Sequence, residues 1–245
     1  MTKQSEMFKS PNCLGSYEDL IRAFISSGYQ TAAFSSIIKP ERQLILRHDI
    51  DFDCSLAGEI AAIEYKLGVD ATYFFLLSSD SYNLISKRNI ETVLKIKEKG
   101  HQVSLHFDPL VYGENFLEGF RYEKEIFEKT FKTKIEIISI HRPNDFFLNY
   151  DKKIDGVEHT YQNKFFREIK YISDSQGLFR FGHPLESEEF KRKKTIHLLI
   201  HPIWWIGNGD SNISILNNYI EKQKSFLHSH VGENCLPYRE YLNKK

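Results

Sequence analysis

The stretch Leu44–Asp53 reads LILRHDIDFD. Its first half is the apolar run of a buried strand, while its second half packs one His and three Asp into six positions, groups that are costly to bury. Side chains alternate faces along a strand, so Asp49 and Asp51 project to the same side and repel unless a cation or protons offset them. A divalent metal resolves that conflict. The competing reading makes Asp51 and Asp53 caps for a helix starting near Cys54, since Asp is a good N-cap residue, but Asp49 lies too far upstream to cap. His48 faces the other way and reads as structural.

Similar apolar runs recur along the chain, at 71–79, 101–107, 135–141, 170–175 and 195–205. Between them lie segments with helical periodicity, at 16–29, 55–68, 89–100 and 114–132, and a closing helix is expected over 211–231. Gly68 and Gly100 stand where helix-terminating glycines belong. Nearly continuous apolar strands separated by helices predict an α/β fold with a parallel sheet covered on both faces, either a barrel or a doubly wound open sheet. Four strands run straight into a polar end: LILRHDID, VSLHFD, IISIHRP and LLIHPIWW, with YISDS as a weaker fifth. In a barrel such ends converge on one rim, whereas in an open sheet they meet only near a switch point, so the pattern favours the barrel. No Pro/Gly/Ser-rich linker or internal repeat divides the chain, and a single domain over 1–245 is expected.

The 245 residues are enough for a sizeable core, and 33 basic against 33 acidic side chains leave no net field to attract nucleic acid or an anionic membrane. Three widely spaced cysteines, Cys13, Cys54 and Cys235, form no CxxC pair and point to a reducing, cytoplasmic setting. The N-terminus lacks the apolar core of a signal peptide, and no run approaches the ~18 apolar residues of a membrane span.

The polar strand ends supply the candidate chemistry. His106 and Asp108 end one strand on a common side, and imidazole with carboxylate suits zinc and related divalent ions. His141 opens HRPND, where Pro143 takes the chain out of the sheet; Arg142 reads either as a clamp for a carboxylate or as a surface ion pair. His201 closes its strand on the face of His197 and Leu199, placed to donate a proton to a leaving group. Trp204 and Trp205 beyond it read equally as a stacking platform for a sugar or as core. His183 reaches towards the rim from the loop FRFGHP, and Tyr161 to Phe166 are a further candidate wall for a cleft. His101, the turn Lys191–Lys194, His228 and His230 read as structural or solvated.

With these motifs in this order, the chain over roughly 42–205 resembles the polysaccharide deacetylase (NodB-homology) superfamily, metal-dependent carbohydrate esterases on a distorted (β/α)7 barrel. Its common members read TFDDG, HxxxH, an Arg-Pro, an Asp and Leu-x-His; here RHDID, GHQVSLHFD, HRP, ISDS and LLIH stand in those places. Two departures mark the divergent RHDxD branch, often associated with surface-polysaccharide gene clusters: the acids are split as Asp49-Ile50-Asp51, and Leu110 occupies the place of the second His. The resemblance implies Asp49 as general base, Asp51 and His106 as metal ligands, Arg142 as the arginine holding the base, Asp174 as the fourth-motif acid and His201 as general acid. His141 or Asp108 would complete the ligand set, His141 being preferred because it restores Asp-His-His. The implied activity is removal of an N-acetyl or O-acetyl group from a sugar or surface-polysaccharide precursor, with a divalent cofactor, Zn2+ first, and a carbohydrate as partner. The alternatives are a metal hydrolase for another amide or ester, and a glycan-binding protein that has lost its activity.

Overall fold

The computed structural model describes residues 16–36 and 42–244. The polar-ended run forms strand β2 (Gln43–Ile50), and seven of its eight residues are buried. It lies in a parallel sheet with β3 (Thr72–Leu76), β4 (Gln102–Phe107), β5 (Ile137–Ile140), β6 (Glu158–His159), β7 (Lys170–Ser173) and β8 (Ile196–Ile200), in the order β6-β5-β4-β3-β2-β8-β7, while the short β1 (Gln30–Thr31) pairs with the start of β2. Helices α1 (Tyr17–Ser26), α2 (Cys54–Leu67), α3 (Lys87–Glu98) and α4 (Phe116–Phe131) alternate with the strands. The expected α/β barrel is therefore the architecture, a distorted one: no pairing joins β6 to β7 among the described residues.

The sheet curls enough that non-neighbouring strands meet through their side chains. Arg47 on β2 reaches Ser139 on β5 at 2.6 Å, which identifies the face carrying Ile45, Arg47 and Asp49 as the interior. The opposite face sends Leu44, Leu46 and Ile50 into the layer of helices, and His48 to Glu64 on α2. At the base of the interior, Phe34, Ile45, Phe74, Ile137 and Phe165 form a separate apolar plug. His197 sits in this lower interior, fully buried, with its ring near Phe34 and its Nδ1–H donating to the Phe165 carbonyl at 2.9 Å. Burial pulls its pKa to about 3, so it is a neutral, structural imidazole. Tyr161 and Phe165 are buried, to 7% and 2% exposure, and Phe165 with Lys164 lines a cavity beside Phe34 and Ile137.

The last strand ends earlier than its sequence suggests. An uninterrupted strand over 195–205 is expected from the apolar pattern, yet β8 stops at Ile200, and HPIWW coils into a turn of helix, α5 (Ile203–Ile206). Pro202, which lacks the N–H a strand ladder needs, opens that turn, and the Trp204 and Trp205 amides bond back to the His201 and Pro202 carbonyls. The closing helix, α6 (Asn212–Asn234), starts at a capping box on Ser211 and carries the exposed His228 and His230. No described helix is long and apolar enough to cross a membrane. Cys54 and Cys235 are unpaired, while Cys13 lies outside the described residues.

Candidate metal and acid–base centre

The C-terminal ends of β2, β4, β5 and β8 deliver their polar residues to one place. Asp51 lies in the bend after β2, His106 is the penultimate residue of β4, and His141 follows β5 directly, its amide still bonded to the Phe107 carbonyl at 2.7 Å. His106 Nε2 stands 3.3 Å from Asp51 Oδ1 and 3.0 Å from His141 Nδ1, and His141 Nδ1 is 3.6 Å from the same Asp51 oxygen. Ligand atoms on a tetrahedral zinc, with bonds of about 2.0–2.1 Å, are separated by roughly 3.3 Å. The three observed separations bracket that value, and these three residues are the one His/Cys/Asp/Glu cluster of metal-binding geometry among the described residues.

Two further features fit an ion. Asp51 Oδ1 is buried and accepts no hydrogen bond from the protein, an arrangement that costs free energy unless a cation or donor answers it. The His106 Nδ1 lies 3.3 Å from the Ser139 carbonyl, a contact that fixes Nδ1 as the protonated nitrogen and leaves the Nε2 lone pair facing Asp51 and His141. Burial, reinforced by His106, lowers the His141 pKa to about 4, so that ring is neutral and able to ligate at neutral pH. Asp108, the alternative third ligand, is committed elsewhere: its Oδ1 caps the turn at Leu110 (3.0 Å) and its Oδ2 accepts from Arg142 (2.6 Å).

Asp49 stands beside this triangle, its Oδ2 3.6 Å from His106 Nε2. The guanidinium that holds it belongs to Arg47, which donates from Nε to Oδ1 (2.9 Å) and from Nη2 to Oδ2 (2.6 Å), while Ser139 Oγ adds a bond of 3.0 Å to Oδ2. This corrects the assignment of that task to Arg142. At Arg142 the backbone turns left-handed (φ 46°) just before Pro143, which throws its side chain out to the rim, where it is 66% exposed and pairs with Asp108. Arg47 is two residues from Asp49 on the same strand face, so the alternation that placed Asp49 and Asp51 together also placed Arg47, and that signal lay unread in RHDID. Burial alone would raise the Asp49 pKa, but the charge and hydrogen bonds of Arg47, with His106 and His201, hold the carboxyl well below the usual carboxylate range.

On the other flank, His201 Nε2 lies 3.8 Å from Asp51 Oδ2, and its Nδ1–H donates to Asp174 Oδ1 at 2.6 Å. Asp174 is fully buried just beyond β7 and accepts in addition from the His201 amide (3.0 Å to each oxygen) and from the Trp205 indole N–H (2.8 Å). Burial would lower the His201 pKa, but the charge and hydrogen bond of Asp174, with Asp51 and Asp49, lift it to about 9. Neither tryptophan is a sugar platform in this arrangement. Trp204 and Trp205 are 5% and 7% exposed, with their rings against Phe52 and Tyr17, because the helical turn folds them back into the core. His183 also stays outside the cluster, capping the turn at Leu185 and resting edge-on against Phe179. The open aromatic on that loop is Phe181, 92% exposed.

No known family profile matches the chain, and no curated protein matches it. Solved structures do. One is a family 4 carbohydrate esterase from Bacillus anthracis, at 13% identity over 84% of this chain and 86% of that one, with a TM-score of 0.46. Peptidoglycan deacetylase PdaC from Bacillus subtilis aligns at 14% identity over 80% of this chain and 99% of its own, TM-score 0.44. A CE4 family pseudoenzyme from Bacillus anthracis, BA3943, aligns at 16% identity over 76% and 62%, TM-score 0.41.

Proposed function

We propose that the protein is a metal-dependent hydrolase that removes an acetyl group, N-linked first, from a sugar or glycan precursor. One observation carries the reading: two imidazoles and a carboxylate with an unanswered oxygen form a ligand triangle, with an arginine-held acid on one side and a carboxylate-held histidine on the other. The motif resemblance of the sequence supports the same class of chemistry, and the carbohydrate substrate rests on that resemblance.

Asp51, His106 and His141 would hold the ion, zinc first among divalent metals, because neutral imidazole and carboxylate are its usual donors. When bound, such an ion supplies Lewis-acid polarisation of an acyl carbonyl and of a water molecule. The remaining steps belong to side chains. Asp49, kept ionised by Arg47, accepts the proton of the attacking water; Arg47 and Ser139 fix the direction of its lone pairs. His201, kept protonated by Asp174, points Nε2–H into the site and returns a proton to the departing amine. The two groups thus have their pKa values pushed in opposite directions, the usual mark of a base and an acid divided between two roles.

Purified protein should carry about one zinc per chain, or take it up after chelation, and should release acetate from an N-acetylated sugar. Stoichiometric metal with release of a different acyl product would retain the hydrolase and replace the substrate. Absence of metal uptake together with absence of hydrolysis would overturn the proposal.

A further inference from the structure

HPIWW has a second use beyond carrying His201. His201 stands immediately before the helical turn that Pro202 starts, and Trp205 lies within it. Both converge on Asp174: His201 through Nδ1–H at 2.6 Å to Oδ1, and Trp205 through its indole N–H at 2.8 Å to Oδ2. The carboxylate is fully buried, and its oxygens accept hydrogen bonds from these two residues. The indole is itself wedged, edge-on to Tyr17 at 5.7 Å and tilted against Phe179 at 6.1 Å, so its N–H has a fixed direction.

We infer that Trp205 is a positioning residue of the acid–base centre: its indole N–H pins Asp174 Oδ2, which sets the carboxylate plane so that Oδ1 meets His201 Nδ1 and Nε2 is left directed at the candidate metal triangle. Without the indole, Oδ2 keeps only the His201 amide, which it shares at 3.0 Å with Oδ1, so the carboxylate is freer to turn about its Cβ–Cγ bond and the imidazole it orients turns with it. A bond that controls the aim of a proton donor, without touching substrate, affects the chemical step more than ground-state binding. The inference rests on the deacetylase reading for its kinetic consequence, but its geometric content stands apart from it.

Two variants and two measurements test this. Trp205→Phe removes the N–H and part of the ring; replacement of the indole by benzothiophene, through a noncanonical amino acid, removes the N–H and keeps the bicyclic shape. The His201 Nδ1–H, identified as the downfield proton resonance that His201→Ala abolishes, should move or broaden in both. On an N-acetylated sugar, kcat should fall about tenfold with KM within about twofold, the loss of one hydrogen bond to a charged group felt at the transition state. The benzothiophene protein retaining both the resonance and kcat would overturn the inference and leave Trp205 as packing. If the unmodified protein hydrolyses nothing, the deacetylase reading fails while the resonance still decides the geometry.

Discussion

The two faces of β2 each bury a carboxylate system, and they solve the problem differently. On the outer face Glu64, fully buried on α2, is answered completely: Tyr17 and Tyr73 donate hydroxyls, His48 Nε2 stands at 2.7 Å, and His101 Nδ1 lies 3.7 Å away. On the inner face Asp49 is likewise saturated by Arg47 and Ser139, but its neighbour Asp51 keeps a buried oxygen with no donor, aimed where two imidazole nitrogens also converge. Asp49 and Glu64 are both buried. What separates a structural acid from a candidate ligand is the lone pair left over.

Substitutions at the inner face should therefore abolish chemistry, with turnover compared per folded molecule because Asp49→Asn and His201→Ala also break buried pairs. Asp51→Ala is expected to remove metal uptake and to lower hydrolysis by at least the ~10²–10⁴-fold that a general acid or base supplies, with the protein still folded. Asp49→Asn and His201→Ala should each lose ~10²–10⁴-fold in turnover while retaining the metal. Full turnover in any of the three purified variants would remove that residue from its role. Arg47→Lys belongs to the same set, since an ammonium cannot reproduce the two-bond fork on Asp49, and its kcat should fall well beyond tenfold.

At the outer face the expectation reverses. Glu64→Gln leaves the buried His48 without its anion and should cost about 3–5 kcal/mol of stability, the usual penalty for breaking a buried pair, while the folded fraction keeps its metal and its kcat. The pH dependence gives a second reading. Burial would raise the Glu64 pKa, but the charge and hydrogen bond of His48, then the Tyr17 and Tyr73 hydroxyls, lower it below its ordinary value. A depressed carboxyl contributes stability that is fully present above its unfolded pKa of about 4.3 and is lost as pH falls through the folded value. Melting temperature should thus decline less steeply below about pH 5 in Glu64→Gln than in the unmodified protein. Equal slopes would mean that Glu64 does not change its protonation on unfolding in that range.

Periodicity was enough to read the barrel and the shared side of Asp49 and Asp51, because strands buried on both faces and ending in polar residues have few other arrangements. The strand of Glu64's partner His48 and the helix of Glu64 itself were equally legible as elements, yet their pairing across sixteen residues of turn and helix left no local signal. Trp205 was missed for a different reason: the apolar run that suggested a strand over 195–205 hid the helical turn that Pro202 introduces, and with it the convergence of His201 and Trp205 on Asp174. The interior Arg47 was within reach of the alternation argument. Its task was given instead to Arg142 through the motif resemblance, and only the left-handed backbone at Arg142 shows why that side chain cannot enter the barrel.

The smallest expected effect follows from that exchange. Arg142 is two-thirds exposed and pairs at the rim with the buried Asp108; its solvated end keeps the contribution near that of a surface pair, about 1 kcal/mol. Asp108 Oδ1 retains its bond from the Leu110 amide when the guanidinium is removed, and Oδ2, which loses its donor, is opened to water where the arginine covered it. Arg142→Ala should consequently change kcat/KM by less than about fivefold, the rate equivalent of 1 kcal/mol, and melting temperature by only a few degrees. The measurement is decisive beside Arg47→Lys, because both variants alter one guanidinium and only one of them touches Asp49. A hundredfold loss in Arg142→Ala with little change in Arg47→Lys would return the reacting carboxylate to the rim and place the base at Asp108 rather than Asp49.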